Sequence, residues 1–214
     1  MTMARLRFAP YALLLVVAAT SVRAQGAATV ETGQWSPSLR ERVERMADSA
    51  KAQRLPTEPL YSKAAEGVLK GADEARIIQA VAGLAHDLRD ARSALGASAT
   101  DAELVAAASV VHSGMDVPTL RKFSTRRDGR PQGESFVMPL VVLSDLLARH
   151  VTQDVAMSSL SNLLEHGAKD AELTNLRRDI ERDISGGQPP DLAARVRTDA
   201  ALATARGARR PPPP

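Results

Sequence analysis

Residues 96–104 read Gly96-Ala97-Ser98-Ala99-Thr100-Asp101-Ala102-Glu103-Leu104, and residues 167–173 read Gly167-Ala168-Lys169-Asp170-Ala171-Glu172-Leu173. Each is a glycine stop, a short small or polar step, and the start of a helix spelled Asp-Ala-Glu-Leu. Glycine takes the left-handed backbone that ends many helices. Thr100 and Glu103 stand three apart, the spacing of a capping box, in which each side chain satisfies the other's free backbone N–H. The two phrases are therefore joints between helices, and weaker versions of the same punctuation recur along the chain.

Outward from these joints, one helical pattern repeats. Before the first phrase, Asp73 opens the longest helix, with Ile77, Val81, Leu84, Leu88 and Leu95 on its buried side. Upstream, Ser36-Pro37 starts a helix striped by Leu39, Val43, Met46, Ala47 and Ala50, and Thr57 starts another striped by Leu60, Ala64, Val68 and Leu69. A capping Ser or Thr before a first-turn proline is the expected opening. After the first phrase come Leu104, Ala107, Ala108 and Val111, then a short start at Asp116 with Pro118 and Leu120. Residues 121–135, RKFSTRRDGRPQGES, break the pattern and read as a mobile basic loop. From Phe136, Val137, Leu140, Val141, Leu143, Leu146 and Leu147 cover more than one face and predict a central helix. Thr152 opens the next, Asp170 another with Leu173, Leu176, Ile180 and Ile184, and Pro189-Pro190 lead into a last one carrying Leu192 and Val196. The joints are about 16 to 25 residues apart. Helices this short are marginal alone, below about 12–15 residues, so they need neighbours. The chain is predicted to be all-α: a stack or compact bundle of about eight short amphipathic helices, degenerate α-hairpin repeats with no sheet. Neither the period nor the signature residues match tetratricopeptide repeats.

The first 24 residues read differently. Arg5 and Arg7 precede an apolar run from Tyr11 to Ala19, and Val22-Arg23-Ala24 places small residues at the cleavage-recognition positions. This is the pattern of a cleavable signal peptide; the run is too short for a membrane span of about 20 residues. Residues 25–35 are expected to be a flexible segment, 36–206 a single helical domain, and 207–214 a disordered Arg/Pro tail. Arg5, Arg7 and Arg23 account for the excess of 28 Lys and Arg over 25 Asp and Glu, so residues 25–214 are net neutral. The basic balance is thus no sign of nucleic-acid binding, and the few aromatics offer no stacking platform. With no cysteine, thiol catalysis, thiolate metal sites and disulfides are excluded, and packing alone must hold the helices.

No chemical signature emerges. His112, His150 and His166 stand at predicted helix C-termini, where imidazole meets the last carbonyls and the negative end of the dipole; His86 lies on a polar face. There is no metal-ligand spacing, no Gly-x-Ser-x-Gly elbow and no phosphate loop, so no catalytic, cofactor or metal residue is assigned. Ser158, Ser159 and Ser161 sit inside an amphipathic pattern. Asp179, Glu181, Arg182 and Asp183 beside Arg177 and Arg178 read as a solvated ion-pair face. The one local charge anomaly is Arg121, Lys122, Arg126, Arg127 and Arg130 against Asp128. As a contact for anionic lipid or wall polymer it would be weak: about 1 kcal/mol per basic residue gives roughly millimolar binding from four net charges.

The expected function is that of an exported, non-enzymatic helical-repeat protein, periplasmic or secreted, that binds another envelope protein or peptide. Its groove is expected between Phe136 and Ile184, where the repeat is cleanest. Two other readings stand beside it: an envelope enzyme whose site is assembled from distant helices, and a structural or stress-related protein touching anionic surfaces through the basic loop. No transmembrane span is expected after cleavage, and no nucleic-acid partner.

Overall fold

The computed structural model describes residues 35–208; the segment expected to be a signal peptide, residues 25–34 and the end of the Arg/Pro tail lie outside them. The described residues are all-helical, with no strand. In chain order they form α1 Pro37–Ala52, α2 Glu58–Leu69, α3 Glu74–Leu95, α4 Asp101–His112, α5 Val117–Ser124, a 3-10 turn at Arg127–Gly129, α6 Val137–Ala148, α7 Gln153–Glu165, α8 Asp170–Ser185 and α9 Pro190–Ala208. The last helix runs two residues into the segment expected to be tail. Where the pattern was expected to fail at residue 121, α5 continues to Ser124, because Phe123 is buried beneath it and packs tilted against Phe136, 5.3 Å between ring centroids.

The starts follow local chemistry. Ser36, Asp73 and Asp116 accept the N–H of Leu39, Arg76 and Thr119. At the first phrase, the Thr100 N–H donates to Glu103 Oε2 at 2.9 Å and the Glu103 N–H to Thr100 Oγ1 at 3.2 Å. At the second, Lys169 has no acceptor, so only half the box forms: Glu172 accepts the Lys169 N–H at 2.8 Å. Thr57 and Thr152 make no side-chain cap; Thr152 is held instead by Asp191 of α9 through its N–H and hydroxyl.

Six of the stops share one geometry. After α1, α2, α4, α6, α7 and α8, paired bonds close a Schellman turn, as in Val151 N–H to Leu146 O and His150 N–H to Leu147 O. The residue beyond the turn is usually apolar and buried: Leu55, Met115, Val151 and Ala168. Glycine occupies the left-handed position at four of these turns; Arg54 and His150, with φ of 56° and 64°, occupy it at the other two. Gly67 is not a stop. It lies inside α2, where a Cβ would sit 2.6 Å from Ile77 Cγ1, so its absence of side chain lets α2 approach α3.

Packing is sequential. In one tier α1 lies on α3, α3 on α5, and α7 on α9; in the other α4 lies on α6 and α6 on α8. Pairs adjacent in the chain, such as α2–α3, α3–α4, α6–α7 and α8–α9, join the tiers. Every closely packed pair lies within two places in chain order, as in stacked repeats. The expected central helix α6 buries Leu140, Val142, Leu143 and Leu146 completely. Three expectations are corrected. Trp35, placed in the flexible segment, is buried and stacks on Tyr61, because the chain enters α1 over that ring. Leu69 of the α2 stripe is 83% exposed at the helix end. Leu192 and Val196 of α9 face outward, since the smaller Ala193, Ala194 and Thr198 allow α9 to approach α7 and α8 on the opposite face.

Candidate binding groove

The second half of the basic segment is built into the fold, while its first half faces solvent. Arg121 and Lys122 lie on the exposed side of α5, with Arg121 donating to the Ser93 carbonyl at 3.2 Å. Arg126 pairs with Glu165 at the end of α7, 2.7 Å away. Arg127 reaches Glu103 at 3.0 Å and Ser98, and lies over the Phe136 ring. Arg130 is 3% exposed. It donates to the Ala168 carbonyl at 2.5 Å and the Ser135 carbonyl at 3.2 Å, and pairs with Glu134 and Asp170. Arg127 therefore closes on the first Asp-Ala-Glu-Leu start and Arg130 on the second. Arg92 serves the first phrase in the same way, donating to the carbonyls of Gly96, Ala97 and Ala99 and to Arg54 across the α1–α2 turn. The expected mobile loop is a clasp between two helix starts. With its side chain buried and its guanidinium spent on two carbonyls and two carboxylates, Arg130 is structural, and of the five basic residues Lys122 alone has no side-chain partner among the described residues.

Electrostatics within the clasp are uneven. Burial, then the neighbouring charge of Glu134, pushes the Asp170 carboxyl above its ordinary range, against the pull of Arg130. Elsewhere the face expected to be solvated bridges helices: Arg177 reaches Asp145 at 3.2 Å, Glu181 receives Arg149 at 2.7 Å, and Arg197 grips Asp183 with two bonds of 2.5 and 2.6 Å. Those Arg197 hydrogen bonds hold the Asp183 carboxyl below its ordinary range.

The first tier has one break. α5 and α7 are its consecutive members, yet they are the pair that does not pack closely. Between them lies an open groove of about 400 Å³, with Thr119, Lys122 and Arg126 on one wall and Gln153, Asp154, Met157, Ser158 and Ser161 of α7 on the other. α5 spans eight residues, about 12 Å at 1.5 Å per residue, and Arg126–Glu165 bridges the walls at one end. Met157 gives an apolar floor, the polar side chains give donors and acceptors, and the walls carry opposite charges. The α7 wall falls in the span expected to hold the groove; the α5 wall does not. Thr119, Gln153, Asp154 and Met157 escape sequence reading, since nothing local marks a gap between two helices.

In the groove, Ser158 donates to the Val155 carbonyl at 3.1 Å, and Asp154 lines the same wall one turn away. His86 pairs with Asp90, His112 with Asp87 across to α3, and His166 meets the Asn162 carbonyl at its helix end. Among the described residues no group of three or more His, Asp or Glu has metal-binding geometry. No described helix is long and apolar enough to cross a membrane. No protein-family model matches the chain, and no curated protein or solved structure resembles it.

Proposed function

We propose that the chain is an exported, non-enzymatic scaffold of the bacterial cell envelope that holds a segment of another protein in the α5–α7 groove. The observation that carries this is the break in the first tier: α1–α3, α3–α5 and α7–α9 pack closely, while α5 and α7 leave an open groove of about 400 Å³ between them. A partner helix or extended peptide would complete the tier, seating an apolar side chain on Met157 and meeting Lys122 and Asp154 at the rim. The leader-like first 24 residues support export. The anionic-surface reading draws less support, because Arg126, Arg127 and Arg130 are engaged within the fold.

The test is capture from native envelope extract at physiological salt with tagged residues 25–214, beside Ser161→Trp, which fills the groove, and Lys169→Ala, an exposed control outside it. One reproducible partner retained by wild type and Lys169→Ala, and lost at least about tenfold by Ser161→Trp, supports the reading; one core residue of an interface commonly carries that much. Equal retention by Ser161→Trp overturns it. So does capture of lipid or wall polymer alone that disappears at higher salt.

A further inference from the structure

The last helix presents an apolar stripe to solvent. Its inner face, Ala193, Ala194, Thr198 and Leu202, is buried. Its outer face carries Leu192, Val196, Ala200 and Ala203, spaced i, i+4, i+8 and i+11, with Leu192 51% and Val196 47% exposed. An end helix of a stack normally turns a polar face outward, and here the larger apolar residues are on the wrong side for that. We infer that this face docks a second copy of the chain, α9 against α9, antiparallel across a two-fold axis.

Two features select this occupant. The stripe is large in its first half, Leu192 and Val196, and small in its second, Ala200 and Ala203. Antiparallel pairing sets Leu192 over Ala203 of the second copy and Val196 over its Ala200, large against small, which is how facing layers interdigitate. Charge gives the second argument. Arg195 and Asp199 are both exposed and lie on the same flank of the stripe, and neither has an ion-pair partner among the described residues. Antiparallel helices bring like flanks together, so Arg195 meets Asp199 of the other copy, and the two-fold repeats the pair. A parallel pairing would set that flank against Ala200 and Thr204 instead and leave both charges unanswered. The surface is self-complementary in shape and charge, as an isologous interface requires. One helix face buries less than the standard interface of about 800 Å² per partner, so the dimer is weak and forms at high local concentration.

Sedimentation equilibrium of the full chain from about 10 µM to about 1 mM, concentrations that read such affinities, should show a reversible monomer–dimer equilibrium. Val196→Glu should raise Kd at least about tenfold, since it buries an unpaired carboxylate. Arg195→Asp alone and Asp199→Arg alone should each weaken the dimer about two- to fivefold, and the double swap should restore it. All three side chains are exposed, so far-UV circular dichroism should stay unchanged. A chain that remains monomeric throughout overturns the proposal and leaves the face to another protein. A dimer indifferent to Val196→Glu, one that the double swap does not restore, or one abolished instead by Leu69→Glu at the opposite end of the stack overturns it as well.

Discussion

His150 occupies a backbone position that favours glycine. Its φ of 64° closes the Schellman turn after α6, and a side chain there costs about 1–2 kcal/mol over glycine from contact between Cβ and its own carbonyl. Part of that returns as unfolded-chain entropy, because glycine has more freedom to lose on folding. His150→Gly should therefore stabilise the fold by about 0.5–1 kcal/mol, read as a higher urea midpoint with an unchanged slope. The mirror experiment is Gly71→Ala, at φ 66° with nothing within 4 Å of a new Cβ; it should destabilise by about 1 kcal/mol for purely conformational reasons. A loss of stability in both variants would show that imidazole contacts, not backbone geometry, hold the α6 turn.

Asp170 and Asp183, one at each end of α8, respond to pH with opposite signs. Asp170 is raised above its unfolded value by burial and Glu134, so between the unfolded pKa, about 3.9, and the folded one the native state binds more protons. Stability from this group therefore falls as pH rises through that window. Asp183 is lowered by its Arg197 hydrogen bonds, so its contribution is present above about pH 4 and is lost as pH falls through the lower folded pKa. Asn imitates the neutral acid. Compared with wild type, Asp170→Asn should gain stability from about pH 3 to about pH 7 and Asp183→Asn should lose it, measured by urea midpoints at both pH values. Same-direction changes would mean that Arg130 outweighs Glu134 at the clasp. This element also marks where sequence reading stops. The start at Asp170 is legible because its spacing and turn chemistry are local. Its answer in Arg130 lies 40 residues away, and Ala168 contributes a backbone carbonyl, which no side-chain pattern reveals.

Across the whole molecule, the same division between local and distant explains what the chain discloses. Helix starts, stops and the central α6 follow from spacing within one or two turns. Periodicity identifies an apolar face but not its neighbour, so Leu192 and Val196 mark a last helix although its inner face is built from Ala193 and Ala194; likewise no residue announces the gap between α5 and α7. Nearest-neighbour packing has a thermodynamic consequence. Each helix is supported only by those within two places of it, so stability should grade along the stack, highest where neighbours exist on both sides. Native-state hydrogen exchange, run dilute enough to keep the chain monomeric, should find the slowest amides in α3, α4 and α6, around the fully buried Leu88, Leu104, Val110, Leu140 and Leu146. The fastest should be in α2 and the last turns of α9. Raising the concentration should then protect the outer turns of α9 selectively if the two-fold pairing forms. Equal protection in all helices at low concentration would instead mean one cooperative bundle, in which contacts at either end are felt throughout, and the gap between α5 and α7 would then open only with global unfolding rather than yielding locally to a partner.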